Sequence, residues 1–200
     1  SYEQNTPSIT NLANGNYVVT WADSSGHDGG SGWDVWGQMY SEEGISVGED
    51  FRVNSYVSSS QYHPDITALS DGGFVTTWSS KNQDGDDYGI FGQRYDSSGN
   101  VAGSEFQIST STSGRQEKAQ VTALLDGGFV VAWQDDSGLD GSDLGIFGQR
   151  YDKYGNTVAS EFQINTHTSD GQEQVHVEGL KDGGFVASWG SYYQDGSQSG

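Results

Sequence analysis

The chain has 200 residues, of which 28 are acidic and eight are Lys or Arg, giving a formal charge of −20, and it contains no cysteine. Such acidity repels phosphate backbones and anionic lipid, and no apolar run approaches the ~20 residues that span a bilayer, so nucleic acid and membrane insertion are excluded. Disulfides and thiolate metal sites are excluded with the cysteines, whereas 12% aromatics and 30 glycines beside only 32% apolar residues suit a repeated all-β protein with small cores.

The first predicted unit opens at Gln4. A hairpin over 9–21 turns at Asn14-Gly15 and ends in Tyr17-Val18-Val19-Thr20-Trp21. A polar loop with Asp28-Gly29 then leads to a second hairpin, Val35-Trp36-Gly37-Gln38-Met39-Tyr40 followed by Phe51-Arg52-Val53-Asn54. The second unit repeats this order from Gln61, with Asp71-Gly72-Gly73-Phe74 running on to Trp78, a loop with Asp84-Gly85, then Ile90-Phe91-Gly92-Gln93-Arg94-Tyr95 and Phe106-Gln107-Ile108-Ser109. The third starts at Gln116 and carries Asp126-Gly127-Gly128-Phe129-Val130-Val131-Ala132-Trp133, a loop with Asp140-Gly141, Ile146-Phe147-Gly148-Gln149-Arg150-Tyr151 and Phe162-Gln163-Ile164-Asn165. The fourth has Gln172, a turn at Asp182-Gly183-Gly184, Trp189 and Asp195-Gly196, and reaches Gly200 before any second hairpin.

Trp21, Trp78, Trp133 and Trp189 lie 57, 55 and 56 positions apart, a period that holds a whole supersecondary unit. The chain therefore reads as a single repeat body with units at about 4–60, 61–115, 116–171 and 172–200, the last incomplete. Each unit is four short antiparallel strands in two hairpins, with glycine supplying the positive φ of the tight turns. That is the make-up of a β-propeller blade; an open stack of β-hairpins is the alternative, with the same burial between neighbours and no ring closure. Phe129, Val131 and Trp133 alternate with Val130 and Ala132, so both faces of the strand are apolar, as packing between two neighbours requires. The glutamines at one phase, Gln4, Gln61, Gln116 and Gln172, read as buried hydrogen-bonding groups that tie units together.

The runs Asp126–Trp133, Leu139–Asp152 and Glu161–Thr166 resemble tandem repeats of very large secreted bacterial proteins, adhesin-like and calcium-binding, often with repeats-in-toxin segments. The hairpin before each tryptophan is also similar, more weakly, to blades of sialidase-type propellers. The first resemblance implies a secreted, extracellular or cell-surface location. The second implies an arginine cluster, but Arg94 and Arg150 share one repeat position, where they pair with acidic turns, and Arg52 and Arg115 lie at other phases.

Residues that break a repeat are where specific chemistry is sought, and His27, Trp33, Lys81, Arg115, His167 and His176 are such breaks. They show no convergent spacing, and no known catalytic motif is present, so the expectation is a protein that is not an enzyme. The loops after each tryptophan offer hard oxygen ligands for Ca²⁺ in Asp28, Asp34, Asp84, Asp86, Asp87, Asp135, Asp136, Asp140, Asp143 and Asp195, with solvated Asp-Gly turns as the plain alternative. The leading functional reading is an extracellular adhesive or structural module, stabilised by calcium and self-associating through the incomplete fourth unit. The alternatives are a lectin that stacks surface glycans on Trp33, Trp36, Tyr56 or Tyr192, and a sialidase-like glycoside hydrolase. If calcium binds the folded state, thermal melts will show a higher midpoint with added calcium than with chelator; equal midpoints remove the ion.

Overall fold

The computed structural model describes residues 3–26, 32–142 and 144–194. Among them β1 (Gln4–Asn11), β2 (Tyr17–Asp23), β3 (Asp34–Tyr40) and β4 (Ser46–Arg52) form one antiparallel sheet in that order. A second sheet holds β5 (Gln61–Ala68), β6 (Phe74–Lys81), β7 (Tyr88–Tyr95) and β8 (Phe106–Gln107). A third holds β9 (Gln116–Ala123), β10 (Phe129–Asp135), β11 (Gly145–Tyr151) and β12 (Thr157–Gln163), and β13 (Gln172–Gly179) pairs with β14 (Phe185–Ser191). The architecture is that of β-propeller blades. First strands pack on one another in series, β1 on β5, β5 on β9 and β9 on β13. All four border one cleft, which a linear stack would not allow because β1 and β13 would stand at opposite ends.

Each Asp-Gly-Gly turn uses its three residues differently. Asp71, Asp126 and Asp182 accept the N–H two residues on, each at 3.0 Å, the side-chain-closed turn that aspartate favours. Gly72, Gly127 and Gly183 lie at φ of 89°, 87° and 91°, a region that costs glycine least. The next glycine has another reason: a Cβ on Gly73 or Gly128 would sit 2.2 Å from the carbonyl oxygen of Tyr95 or Tyr151 on the adjoining strand.

The cores lie between sheets. Val18, Val35 and Met39 of the first blade bury against Phe74, Trp78 and Tyr95 of the second. On the other side of that blade, Val75 and Ile90 meet Phe129, Val131 and Trp133 of the third, and Ala132 and Ile146 then meet Val175, with Ala187 and Trp189, of the fourth. In β6 and β10 the Phe and Trp positions thus face the preceding blade and the intervening residues face the following one. Trp78, Trp133, Val75 and Val130 are all 0% exposed; each large side chain so removed from water is worth about 1.5–3 kcal/mol.

Two of the repeated glutamines do join blades, whereas Gln4, expected to be buried, is exposed and donates to Asp23 of its own sheet. Asn54, at the end of the first blade, donates to Gln61 Oε1 at 3.2 Å, and Asn165 donates to Gln172 Oε1 at 2.9 Å, while the same asparagines accept Val35 N–H and Ile146 N–H. In the middle interface the position is Ser109, which still accepts Ile90 N–H at 3.0 Å but does not bond Gln116, whose Oε1 is buried without a partner. Ser109→Asn is expected to complete the third bond and stabilise the fold by about 0.5–1.5 kcal/mol. Urea melts of variant and parent check this, and an unchanged midpoint would contradict it.

Candidate functional site

The four first strands are not regular. Pairing to the second strand slips between Asn5 and Ser8, Tyr62 and Asp65, Glu117 and Gln120, and Glu173 and His176. In each bulge one residue is left-handed: Thr6 at φ 46°, His63 at 52°, Lys118 at 56° and Gln174 at 56°. The bulge lies opposite Trp21, Trp78, Trp133 or Trp189, because the residues paired on either side flank that tryptophan. A β-bulge re-aims side chains and frees ladder amides, and two of the freed amides bond the preceding blade, Lys118 N–H to Ser79 Oγ at 3.1 Å and Gln174 N–H to Gln134 Oε1 at 3.4 Å.

The bulges surround a cleft of about 470 Å³ on the axis, lined by Thr6, Ser8, His63, Asp65, Lys118, Gln120, Gln174 and His176 with Pro7, Pro64, Ala119 and Val175 between them. Asp65, Gln120 and His176 also line an adjoining space of about 320 Å³ that reaches Glu178, Val186 and Ser188. Asp65 is the hub. Its Oδ1 accepts Ser8 Oγ–H from the first blade and its Oδ2 accepts Val121 N–H from the third, both at 2.8 Å. Burial raises its pKa above the usual carboxylate value, against the opposing pull of those hydrogen bonds. His63 is held below the ordinary imidazole value by burial, and its Nδ1 is enclosed without a hydrogen-bond partner. In a chain of charge −20 the cleft lining gathers one lysine, two histidines and one carboxylate, a site suited to proton exchange and to hydrogen-bonding a polar ligand.

Of the described repeat-breaking residues singled out in the sequence, only His176 lines this cleft. Lys81 and Arg115 flank Tyr88 and pair with Asp87 at 3.9 and 3.4 Å, Trp33 packs on Tyr62, and His27 lies outside the described residues. His63, Asp65, Lys118, Gln120 and Gln174 were missed. The signal was present in the aligned repeats: the second and fourth residues after each repeated glutamine read Thr, His, Lys, Gln and Ser, Asp, Gln, His, diverse within a framework that barely varies.

The proposed calcium acids take other places. Asp34 is buried and accepts Asn54 Nδ2–H at 2.7 Å, Asp84 accepts Asp86 N–H, and Asp86 accepts Gly114 N–H at 3.1 Å. Asp135 is buried and accepts Ser137 N–H, with burial raising its pKa; Asp136 accepts Arg115 N–H, and Asp140 accepts both Ser142 N–H and Asn165 Nδ2–H. Asp28, Asp143 and Asp195 lie outside the described residues. Among the described residues no three acids or histidines gather into a metal-sized group. Arg94 and Arg150 do pair with turn acids, Asp71 at 3.1 Å and Asp126 at 2.7 Å, and no arginine is among the residues lining the axial spaces.

No family model matches the chain, and no curated protein matches it. Solved structures do. An endo-arabinase from Bacteroides thetaiotaomicron is 14% identical with a TM-score of 0.59, over 92% of this chain and 69% of that one. An endo-arabinanase from Bacillus licheniformis is 19% identical with a TM-score of 0.53, over 97% and 76%. A Hadza microbial sialidase is 10% identical with a TM-score of 0.60, over 98% of this chain and 45% of that one. At such identities the likeness is one of fold, to β-propeller glycoside hydrolases. It agrees with the weaker, sialidase-type resemblance of the sequence and corrects two expectations: the adhesive or structural module, drawn from the repeats, and a protein that is not an enzyme, drawn from repeat-breaking residues without convergent spacing. What misled was real regularity, because framework residues outnumber the eight bulge side chains that differ from blade to blade.

Left-handed backbone on a residue with a Cβ costs about 1–3 kcal/mol and persists where the fold over-determines it. Lys118→Gly is therefore expected to stabilise by about 1 kcal/mol, while Gln120→Gly, two residues on, destabilises by about 0.5–1 kcal/mol. Thermal melts check the pair; a loss of stability in Lys118→Gly would mean that the side chain, not the bulge, fixes this backbone.

Proposed function

We propose that the chain is a carbohydrate-directed propeller that binds a glycan in the axial cleft and hydrolyses a glycosidic bond there. The observation that carries this reading is the fourfold bulge, which brings a different polar side chain from every blade to one cleft around Asp65. Glycoside hydrolysis needs one carboxyl kept protonated to give its proton to the leaving oxygen and a second carboxylate to act on the other side of the sugar. Asp65 suits the first role, since it is open to the cleft and burial favours its neutral form. Glu178 is the other carboxylate lining the two joined spaces and suits the second, activating water. His63, Gln120, Gln174 and His176 supply donors and acceptors for sugar hydroxyls. An extracellular location fits a glycan substrate, and calcium in the rim loops is proposed as a stabiliser outside the chemistry.

One observation favours binding without cleavage: Ser8 and Gln120 stand where Asp65 stands in the flanking blades, so the axial layer itself contributes a single carboxylate. The test is a panel of polysaccharides, arabinan and sialylated glycans included, with calorimetry for binding and reducing-end release for cleavage. Release by the parent is expected to fall on the order of 10²–10⁴-fold in Asp65→Asn with binding retained, the melt recorded alongside because Asp65 also joins three blades. Since the acid must be protonated, the parent's activity should decline as pH rises through the raised Asp65 pKa. Binding with no release at any pH would establish the lectin reading, and neither binding nor release would remove both.

A further inference from the structure

The seam between the first two blades, beside the axial cleft, carries aromatic rings that the framework does not require. Trp33 stands just before β3, and its repeat equivalents are Tyr88 and Leu144; Tyr62 follows the repeated glutamine, where the next two blades have Glu117 and Glu173. The seam itself is fixed by main chain, because the carbonyl of Trp33 accepts Gln61 N–H at 2.8 Å just as that of Leu144 accepts Gln172 N–H at 2.9 Å. The side chains at these positions thus differ from seam to seam while the backbone contact stays.

Between the first and second blades the two positions meet as rings. Trp33 lies 5.1 Å from Tyr62, and Tyr62 lies 5.9 Å from His63, which lines the cleft. Trp33, Tyr62 and Tyr88 are each half-buried, unlike the fully buried Trp78 and Trp133 of the core. Burial raises the pKa of the Tyr62 phenol, and Tyr88 and Glu3 add to the rise, which places both within electrostatic reach of it. Tyr62 and Tyr88 stand on β5 and β7 of one sheet, strands about 9.5 Å apart across the sheet.

The chemistry of the seam fits a sugar chain. A sugar ring offers a flat C–H face that stacks on the negative face of an aromatic ring, and tryptophan and tyrosine lose little conformational entropy when they are covered. The surrounding charges fit a neutral chain. Lys81 and Arg115, which flank Tyr88 at 5.5 and 5.4 Å, already hold carboxylates: Lys81 pairs with Asp87 at 3.9 Å, and Arg115 with Asp87 at 3.4 Å and Glu117 at 3.8 Å. Glu3 beside Tyr62 adds a further acid.

We infer that Trp33, Tyr62 and Tyr88 form a second glycan subsite, contiguous with the axial cleft through His63, that stacks successive units of a neutral oligosaccharide chain. The inference rests on the cleft as a glycan site and adds where the rest of the chain lies, outward over the seam between the first two blades.

The probes are neutral oligosaccharides prepared from arabinan, from disaccharide to hexasaccharide, titrated by calorimetry beside a sialylated trisaccharide. Affinity in the parent is expected to rise about tenfold from disaccharide to hexasaccharide, and the rise is expected to vanish in Trp33→Ala and in Tyr62→Ala, with melts recorded for each. Gln120→Ala, in the cleft, is expected to weaken both lengths alike. If either aromatic variant fails to fold, Tyr88→Leu takes its place. Equal affinity at all lengths, a rise that survives the aromatic substitutions, or tighter binding of the sialylated probe overturns the inference and leaves the axial site standing. Absence of binding by these probes and by the whole polysaccharide panel overturns the proposed function and the inference together.

Discussion

Everything in this fold depends on a strand that needs a neighbour on both faces. β6 and β10 carry apolar side chains front and back, and neither face finds cover within its own sheet, since a four-stranded sheet has no interior. Burial comes only from stacking on the next blade, so stability resides in the interfaces and each unit depends on its neighbours. The ends record this directly. Val186, equivalent to the fully buried Val75 and Val130, is 51% exposed on the last blade, and Ile9 is 61% exposed on the first where Ile66 is 5% exposed.

Because the interfaces carry the fold, the axis is released from that duty. Tryptophan on the second strand fills the space between blades and faces the bulge across the ladder; glutamine and asparagine close the polar seam at the same level. The bulge residues can then be almost anything that tolerates left-handed backbone, and they are: threonine, histidine, lysine and glutamine. The strain is repeated four times and the chemistry is not. Asp65 is the exception that has both tasks, since it bonds two other blades and faces the cleft.

Much of the architecture was legible in the residues, for reasons that are local. The Asp-Gly-Gly turns announce hairpins because only a few residues accept that geometry, the tryptophan interval announces the repeat, and alternating apolar positions announce a strand covered on two sides. The buried role of Gln61, Gln116 and Gln172 followed from their common phase, while Gln4 at the same phase is exposed because among the described residues no blade covers β1 on that side. The site was less legible. A bulge leaves no composition signal of its own, and Lys118 or His63 in a strand reads as a solvated side chain until the packing of the blades brings four such positions to one cleft. The acids of the loops read as calcium ligands because they are numerous hard oxygen donors, and their second task was not legible: Asp86, Asp136 and Asp140 also accept backbone and side-chain N–H groups between neighbouring loops.

The four left-handed positions have a consequence for how a ligand is read. Their backbones repeat one bulge on four first strands that border a single cleft. Their side chains do not repeat, with a cation at Lys118, an imidazole at His63, an amide at Gln174 and a hydroxyl at Thr6. A ligand without symmetry of its own would meet a different polar group from each of the four strands. Orientation would then be set by the side chains, because the backbone offers each strand's bulge alike.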